Sequence, residues 1–156
     1  MIFYGDEAAY SNDYSYLDDS GKSYDNRWMH RPVINWAKNE RRKEKGTPEQ
    51  RIFEGTKRLL ALRKKLEMVG DYKNLEWLWT YNNHIAAYLR SSQEKRLFCI
   101  FNFSSNTQLI SWQWVKHHGP VPLQLKDHWS GDTFTVGGDD EQMILEPYSF
   151  FLLEPA

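Results

Sequence analysis

What is scarce in these 156 residues narrows the field before any motif is sought. There is a single cysteine, Cys99, so no disulfide can form within the chain, and a reducing location, the cytoplasm, is expected. No apolar run approaches the ~20 residues that a membrane-spanning helix needs. The N-terminus has no basic stretch leading into an apolar one, so no removable signal peptide is expected. A net charge of −1 leaves no global field to attract nucleic acid or an anionic membrane, and neither is expected as a partner. A glycine-rich phosphate loop and a nucleophile elbow are also missing, and no cofactor is expected. His117 and His118 are neighbours that share a metal poorly, while His30, His84 and His128 stand alone, so no metal site is expected either.

Aromatic residues, in contrast, are plentiful, with seven Trp and nine Tyr. A β-rich core accounts for much of such a surplus, because aromatic side chains suit a pleated surface. Flat rings also serve sugar-handling surfaces and interfaces. Trp112, Trp114 and Trp129 are the candidates for an exposed set of that kind.

Along the chain four zones differ in pattern. Ile2 to Tyr4 is a short apolar run closed by Gly5, compatible with a buried strand that starts abruptly, as if cut from something longer. Asp6 to Gly46 is long and polar, yet too rich in Tyr, Trp and Arg to be read as disordered. In "TPEQRIFEGTKRLLALRKKLEMVG", Thr47 is placed as N-cap, Pro48 at the first helical position and Gln50 to complete a capping box. Ile52, Leu59, Leu62 and Leu66 then recur at near-helical spacing up to Gly70, which predicts an amphipathic helix from Pro48 to about Met68 with one buried face. Lys64 and Lys65 complement its dipole.

From Asp71 the period becomes two. Leu75, Trp77, Trp79 and Tyr81 share a face, and Asn82 and Asn83 tolerate the positive φ of a tight hairpin. "HIAAYLR" returns, and "RLFCIFNF" is apolar on both faces, as a central strand would be. Further strands are expected at "TQLISW", "LQLKDHW", "TFTV", "QMILEP" and "SFFLLE", with turns at Gly131 and at Gly137 and Gly138. Cys99 within its apolar run reads as an inert core thiol.

The chemistry-bearing residues are few. Asp6 and Glu7 are adjacent at the end of the expected strand, where consecutive side chains diverge, so they make a poor acid/base pair. Asp18 and Asp19 lie beside Ser20 and Gly21 and suit a turn. The run "KNERRKEK", Lys38 to Lys45, carries two glutamates and no aromatics, and fits a solvated loop better than a phosphate track. There remains "DNRWMHRP", Asp25 to Pro32. Arg27 beside Trp28 either presents its planar fork to a carboxylate or pins the loop through a structural ion pair, and composition does not separate the two.

Together "IFYGDE" and "DNRWMHRP" resemble the end of the catalytic barrel of amylosucrases, in glycoside hydrolase family 13, the α-amylase family. The strand pattern is matched by Tyr4, Gly5, Asp6 and Glu7 with the spacing closed up by one residue, and the more particular loop pattern is matched from Asp25 to Pro32. The resemblance implies an α+β chain. Residues 1–70 would supply the last strand, long loop and last helix of a TIM-type (β/α)8 barrel, and residues 71–156 an antiparallel β-sandwich domain. It also implies a parent enzyme that moves the glucosyl unit of sucrose onto an α-glucan or to water through a covalent intermediate, with sucrose and α-glucan as partners held by barrel strands outside this chain. No catalytic residue falls in these residues, and the chain alone is expected to be inactive. By the same resemblance Arg27 would contact substrate by closing the glucose subsite against an aspartate from elsewhere, and so would lack an acidic partner here. Asp6, Glu7, Asp25, Trp28 and His30 would support it at the barrel mouth. The alternative is a non-catalytic carbohydrate-binding or scaffolding β module. The β region is expected to fold by itself, with residues 1–46 loosely held.

Overall fold

A computed structural model describes residues 5–93, 95–138 and 140–156; the strand expected at Ile2 to Tyr4 lies outside them. The chain divides into two compact units, residues 1–61 and 62–156. No helix among the described residues is long and apolar enough to cross a membrane.

In the first unit, short polar side chains next to the backbone set the local structure. Single 3-10 turns form at Asp6–Ala8, Ser15–Asp18, Asn26–His30 and Arg41–Lys43. A short helix, α1, spans Trp36–Glu40 behind Asn35, whose side chain accepts from the Lys38 N–H at 3.1 Å. Such side-chain caps occupy N–H groups that a helix start leaves without partners. The basic run is solvated as expected but is not a loop: it ends α1 and forms the next turn, with Glu40 paired to Lys43 and, at 3.3 Å, to Arg42. Among the described residues of this unit there is no strand, so Asp6 and Glu7 sit in a 3-10 turn and the divergence of strand neighbours does not govern them. Asp19 behaves as a turn residue, its Oδ1 accepting from the Gly21 N–H at 2.9 Å.

Helix α2 spans Pro48–Lys65. Thr47 caps it, its Oγ1 accepting from the Gln50 N–H at 3.1 Å. The returning arm of the expected box goes one residue further back, because Gln50 Oε1 accepts from the Gly46 N–H at 3.4 Å while the Thr47 N–H turns to the Glu44 carbonyl. The helix ends before Gly70. Leu66 leaves it in extended conformation and a separate 3-10 turn, Glu67–Val69, follows. Among the described residues the first part of the apolar stripe is uncovered, with Ile52 46% and Leu59 42% exposed, while Leu62 and Leu66 at its end pack with Met68, Leu97 and Cys99. Periodicity identifies a face and cannot say what lies against it.

The second unit is antiparallel throughout. Strands β1 (Leu75–Leu78), β2 (Ile85–Ser92), β3 (Lys95–Asn102), β5 (Gln124–Asp127), β6 (Thr133–Thr135) and β8 (Phe150–Pro155) form one sheet in the order β1-β2-β3-β8-β5-β6. Strands β4 (Gln108–Ser111) and β7 (Gln142–Leu145) form a second. β3 is central, as its two apolar faces predicted, pairing Cys99 with Tyr88 of β2 and with Leu152 of β8. One face, with Leu78, Ala87, Leu89, Phe98, Ile100 and Leu153, packs in a single cluster with Ile110, Leu145 and the segment carrying Trp112, Trp114 and Val115. On the other face Leu97 and Cys99 cluster with Leu66 and Met68.

Turn chemistry differs from expectation at one hairpin. The residue with positive φ is Tyr81, at 58°, while Asn82 instead accepts from the His84 N–H through its side chain at 2.9 Å. Asn102, 3% exposed, is a polar hub. Its amide donates to the carbonyls of Asn106, Leu145 and Glu146 at 2.8, 3.1 and 2.9 Å, and its Oδ1 accepts from the Ser104 N–H and hydroxyl. Gly119 takes φ 115°, and a Cβ there would stand 2.8 Å from Arg96 Nη1, which donates to the His118 carbonyl. The φ is what requires glycine, since L side chains rarely adopt it, whereas the tip of the Arg96 side chain could give way.

Candidate functional site

The segment Asp25–His30 is built around a carboxylate. Asp25 is the N-cap of its 3-10 turn, and Oδ1 accepts from the Arg27 N–H at 3.0 Å. That turn brings the Arg27 side chain back over its own cap. Nε donates to both carboxylate oxygens, at 2.8 and 3.0 Å, and Nη2 donates to Oδ2 at 2.7 Å. The expectation that Arg27 lacks an acidic partner is thus corrected: a carboxylate two residues away meets it in a fork. Pairing i to i+2 is poor on an α-helix, but an N-cap aspartate outside the helical path makes it possible.

Electrostatics follow from this geometry. Hydrogen bonds from the Arg27 side chain, then from its backbone N–H, hold the Asp25 carboxyl down from 3.8 to about 2. The same pair raises the guanidinium above its ordinary value, chiefly through the hydrogen bonds to Asp25. Asp25 is therefore ionised at neutral pH and is no proton donor. The Asp25 side chain is 16% exposed and that of Arg27 72%, so the fixed end of the pair is sheltered while the guanidinium reaches solvent.

The surrounding loop is closed by ties that the sequence pattern did not reveal. The Asp13 N–H donates to the Met29 carbonyl at 2.9 Å. His30 Nδ1 lies 3.1 Å from Asn12 Oδ1. Tyr10 Oη donates to the Asn35 carbonyl at 2.9 Å and accepts from the Asn35 N–H at 2.6 Å. Lys38 Nζ donates to the Ala9 carbonyl at 3.0 Å and stands 4.4 Å from the centre of the Tyr10 ring. Trp28 is half-buried, with Lys22 Nζ 5.5 Å from its ring and Lys22 in turn 2.8 Å from Asp19. The Glu7 carboxylate accepts from the Gly5 N–H at 2.9 Å within its own turn, and Asp6 is exposed beside it. Of the six predicted site residues, Asp25 and Arg27 are joined directly and Trp28 and His30 share their turn. The arrangement fixes the plane of an exposed guanidinium; it offers no facing carboxylates for acid/base work.

In the second unit the reactive-looking groups are passive. Cys99 is 2% exposed, and burial pushes its thiol from 9.0 up to about 11. Burial likewise pushes its cross-strand partner Tyr88 from 10.0 up to about 12. A cavity of about 320 Å³ is floored by Leu62, Leu66 and Met68. On its rim His128 pairs with Glu154 at 2.7 Å and Lys95 with Glu67 at 3.9 Å. Trp112 and Trp114 are core residues, 4% and 3% exposed, contrary to the expectation that they face solvent. The tryptophans exposed in this unit are Trp77 and Trp79, at 69% and 66%. Alternation had put these two on one face without indicating that the face is open.

Comparison with known proteins bears on the fold. Residues 75–152, from β1 into β8, match the family model described as Maltogenic Amylase, C-terminal domain. Among solved structures, a variant of AmyP in complex with maltotriose superposes with a TM-score of 0.62 at 12% identity, over 72% of this chain and 22% of that one. AmyP in complex with maltose gives 0.59 at 14%, over 69% and 21%. An α-amylase from Geobacillus thermoleovorans, complexed with acarbose, gives 0.57 at 16%, over 81% and 25%. At these identities the likeness is one of fold. The chain spans about a quarter of the length of these proteins, or less.

Proposed function

The chain belongs to the family of maltogenic amylase C-terminal domains, and from that premise we propose that it is the C-terminal portion of an amylosucrase-like enzyme of glycoside hydrolase family 13. In this reading residues 71–156 are the C-terminal β domain and residues 1–70 are the end of the catalytic barrel. The chemistry on sucrose and α-glucan belongs to barrel strands outside these residues, and the chain is inactive by itself. Support for the finer assignment comes from the "DNRWMHRP" segment.

The single observation that carries the role of Arg27 is its fork with Asp25. A bidentate pair through Nε and Nη2 fixes the plane of the guanidinium while leaving the Nη1 edge outside the fork. An arginine so oriented is ready to meet a second carboxylate or a sugar hydroxyl at a barrel mouth, with its own turn supplying the orientation. Asp25 is then a positioning residue, and Trp28 and His30 hold the turn against the loop. Asp6 and Glu7, in the 3-10 turn Asp6–Ala8, are supporting residues at the barrel mouth in this reading.

Fructose release is the test. The 156 residues supplied with sucrose are expected to release none, and the chain extended upstream in its reading frame through earlier barrel strands is expected to release it. Sucrose turnover by the 156 residues alone would overturn the placement of the chemistry elsewhere. If the extended chain released maltose from starch and no fructose from sucrose, the transferase reading would fall while membership of the family stood.

A further inference from the structure

We infer, on the reading of Arg27 as a substrate contact at a barrel mouth, that Tyr10 is a positioning residue for Arg27: it clasps the loop of residues 10–35 at its base and so fixes where the Asp25–Arg27 fork stands. Tyr10 is itself held from below. It follows the 3-10 turn Asp6–Ala8 and Ala9, whose φ is 55°, and its N–H donates to the Gly5 carbonyl at 3.2 Å. The ring lies against Gly5, where an added Cβ would stand 3.2 Å from the ring carbon Cγ.

From that seat the hydroxyl reaches 25 residues along the chain to Asn35, donating to its carbonyl at 2.9 Å and accepting from its N–H at 2.6 Å. One hydroxyl thus engages both polar groups of a single backbone residue, which sets direction as well as distance. Lys38 doubles the tie, its Nζ donating to the Ala9 carbonyl at 3.0 Å while standing 4.4 Å from the centre of the Tyr10 ring. The far side of the clasp is the start of α1, because Asn35 is also the cap of that helix.

Inside the clasp the two arms of the loop are tied again. His30 Nδ1 lies 3.1 Å from Asn12 Oδ1, and the Asp13 N–H donates to the Met29 carbonyl at 2.9 Å. These ties are nested within the one from Tyr10 to Asn35, so once the outer loop is closed the inner ones cost less chain entropy. Arg27 stands two residues from Met29, next to the innermost tie. Its fork with Asp25 fixes the guanidinium within its own turn, and the nested ties fix that turn against the base of the loop. Removing the Tyr10 hydroxyl would leave the fork intact and release the frame that aims it. Asn35 is exposed, so water takes up the N–H and carbonyl that Tyr10→Phe frees, and the substitution removes the tie at little cost in stability.

Nitrogen-15 relaxation of the 156-residue chain tests the clasp. Order parameters of the backbone at residues 26–30 and of the Arg27 Nε–H are expected in the rigid range, about 0.85, and should fall below about 0.6 in Tyr10→Phe. Tyr24→Phe, which removes a hydroxyl from an exposed ring of the same loop, should leave them unchanged. In the chain extended upstream in its reading frame, Tyr10→Phe should lower kcat/KM for fructose release from sucrose about tenfold to a hundredfold. In an Arg27→Lys background, where the fork that the clasp aims is already lost, it should add little. Equal losses in the two backgrounds would overturn the inference, because Tyr10 would then act on the fold and not through Arg27. Order parameters that Tyr10→Phe leaves unchanged would overturn it as well. If the extended chain released no fructose, the enzyme reading would fall, and relaxation of the 156 residues would still decide whether Tyr10 holds Arg27 in place.

Discussion

In residues 62–156 nearly every strand sends at least one side chain into a shared apolar cluster. In residues 1–61 the only buried apolar side chain among those described is Ala8. The first unit is held by another kind of bond: Asx caps, carbonyl ties such as Asp13 to Met29, and ion pairs on exposed side chains. Those interactions are individually worth little beside burial, because water competes for the same groups. The contrast teaches that one chain can have well-defined backbone geometry throughout and still concentrate its free energy of folding in one part.

Amide exchange sharpens that contrast most. Opening free energies within one protein run from near zero at exposed loops to the global value in core strands. The amides of β3 are expected to exchange only with global unfolding, and those of residues 5–46 by local opening, orders of magnitude faster. Uniform strong protection across residues 5–46 would show that the polar ties do what the apolar core does elsewhere. The next largest effect is from truncation of the core. Phe98 is fully buried and lies edge-to-face with Trp114 at 6.2 Å, so Phe98→Ala should cost about 3–5 kcal/mol in chemical denaturation. Ile52→Ala on the half-exposed stripe of α2 should cost well under about 1 kcal/mol. Equal costs would mean that the two regions do not differ as their burial suggests.

How much of this was legible follows the same division. All eight strands of the second unit could be read from alternation and turn residues, because a sheet between solvent and core imposes period two on the sequence. What could not be read is which side of a face is covered. Trp77 and Trp79 were placed together yet are open, and Trp112 and Trp114 are buried in a 3-10 segment, Trp112–His118, that has no periodicity to announce it. In the first unit the α2 start was legible from Thr47 and Pro48, since capping is local chemistry. The four 3-10 turns were not, because each is a single turn of three to five residues with no apolar period, and only the one at Asn26–His30 carries a side-chain cap. The Asp25–Arg27 fork had one available signal. An aspartate ahead of a non-apolar turn marks an N-cap, and a cap side chain lies within reach of an arginine two residues on.

That fork carries the smallest of the expected effects, and it probes the polar side of the comparison directly. Asp25 titrates at about 2 in the folded chain against 3.8 without its partners. A carboxyl with a depressed folded value favours the folded state wherever it is ionised. Its contribution is therefore complete above about pH 4 and disappears as the pH falls toward 2. The carboxyl carbon of Asp25, followed by nuclear magnetic resonance, should show a midpoint near 2. Arg27→Lys keeps the charge but loses the planar fork, and should move that midpoint back toward the ordinary value. Asp25→Asn keeps a neutral acceptor for the Arg27 N–H and should preserve the turn while freeing the guanidinium. If Arg27→Lys left the midpoint unmoved, backbone capping alone would be holding the carboxyl down. The guanidinium would then be a solvent-facing charge rather than one oriented by its own turn.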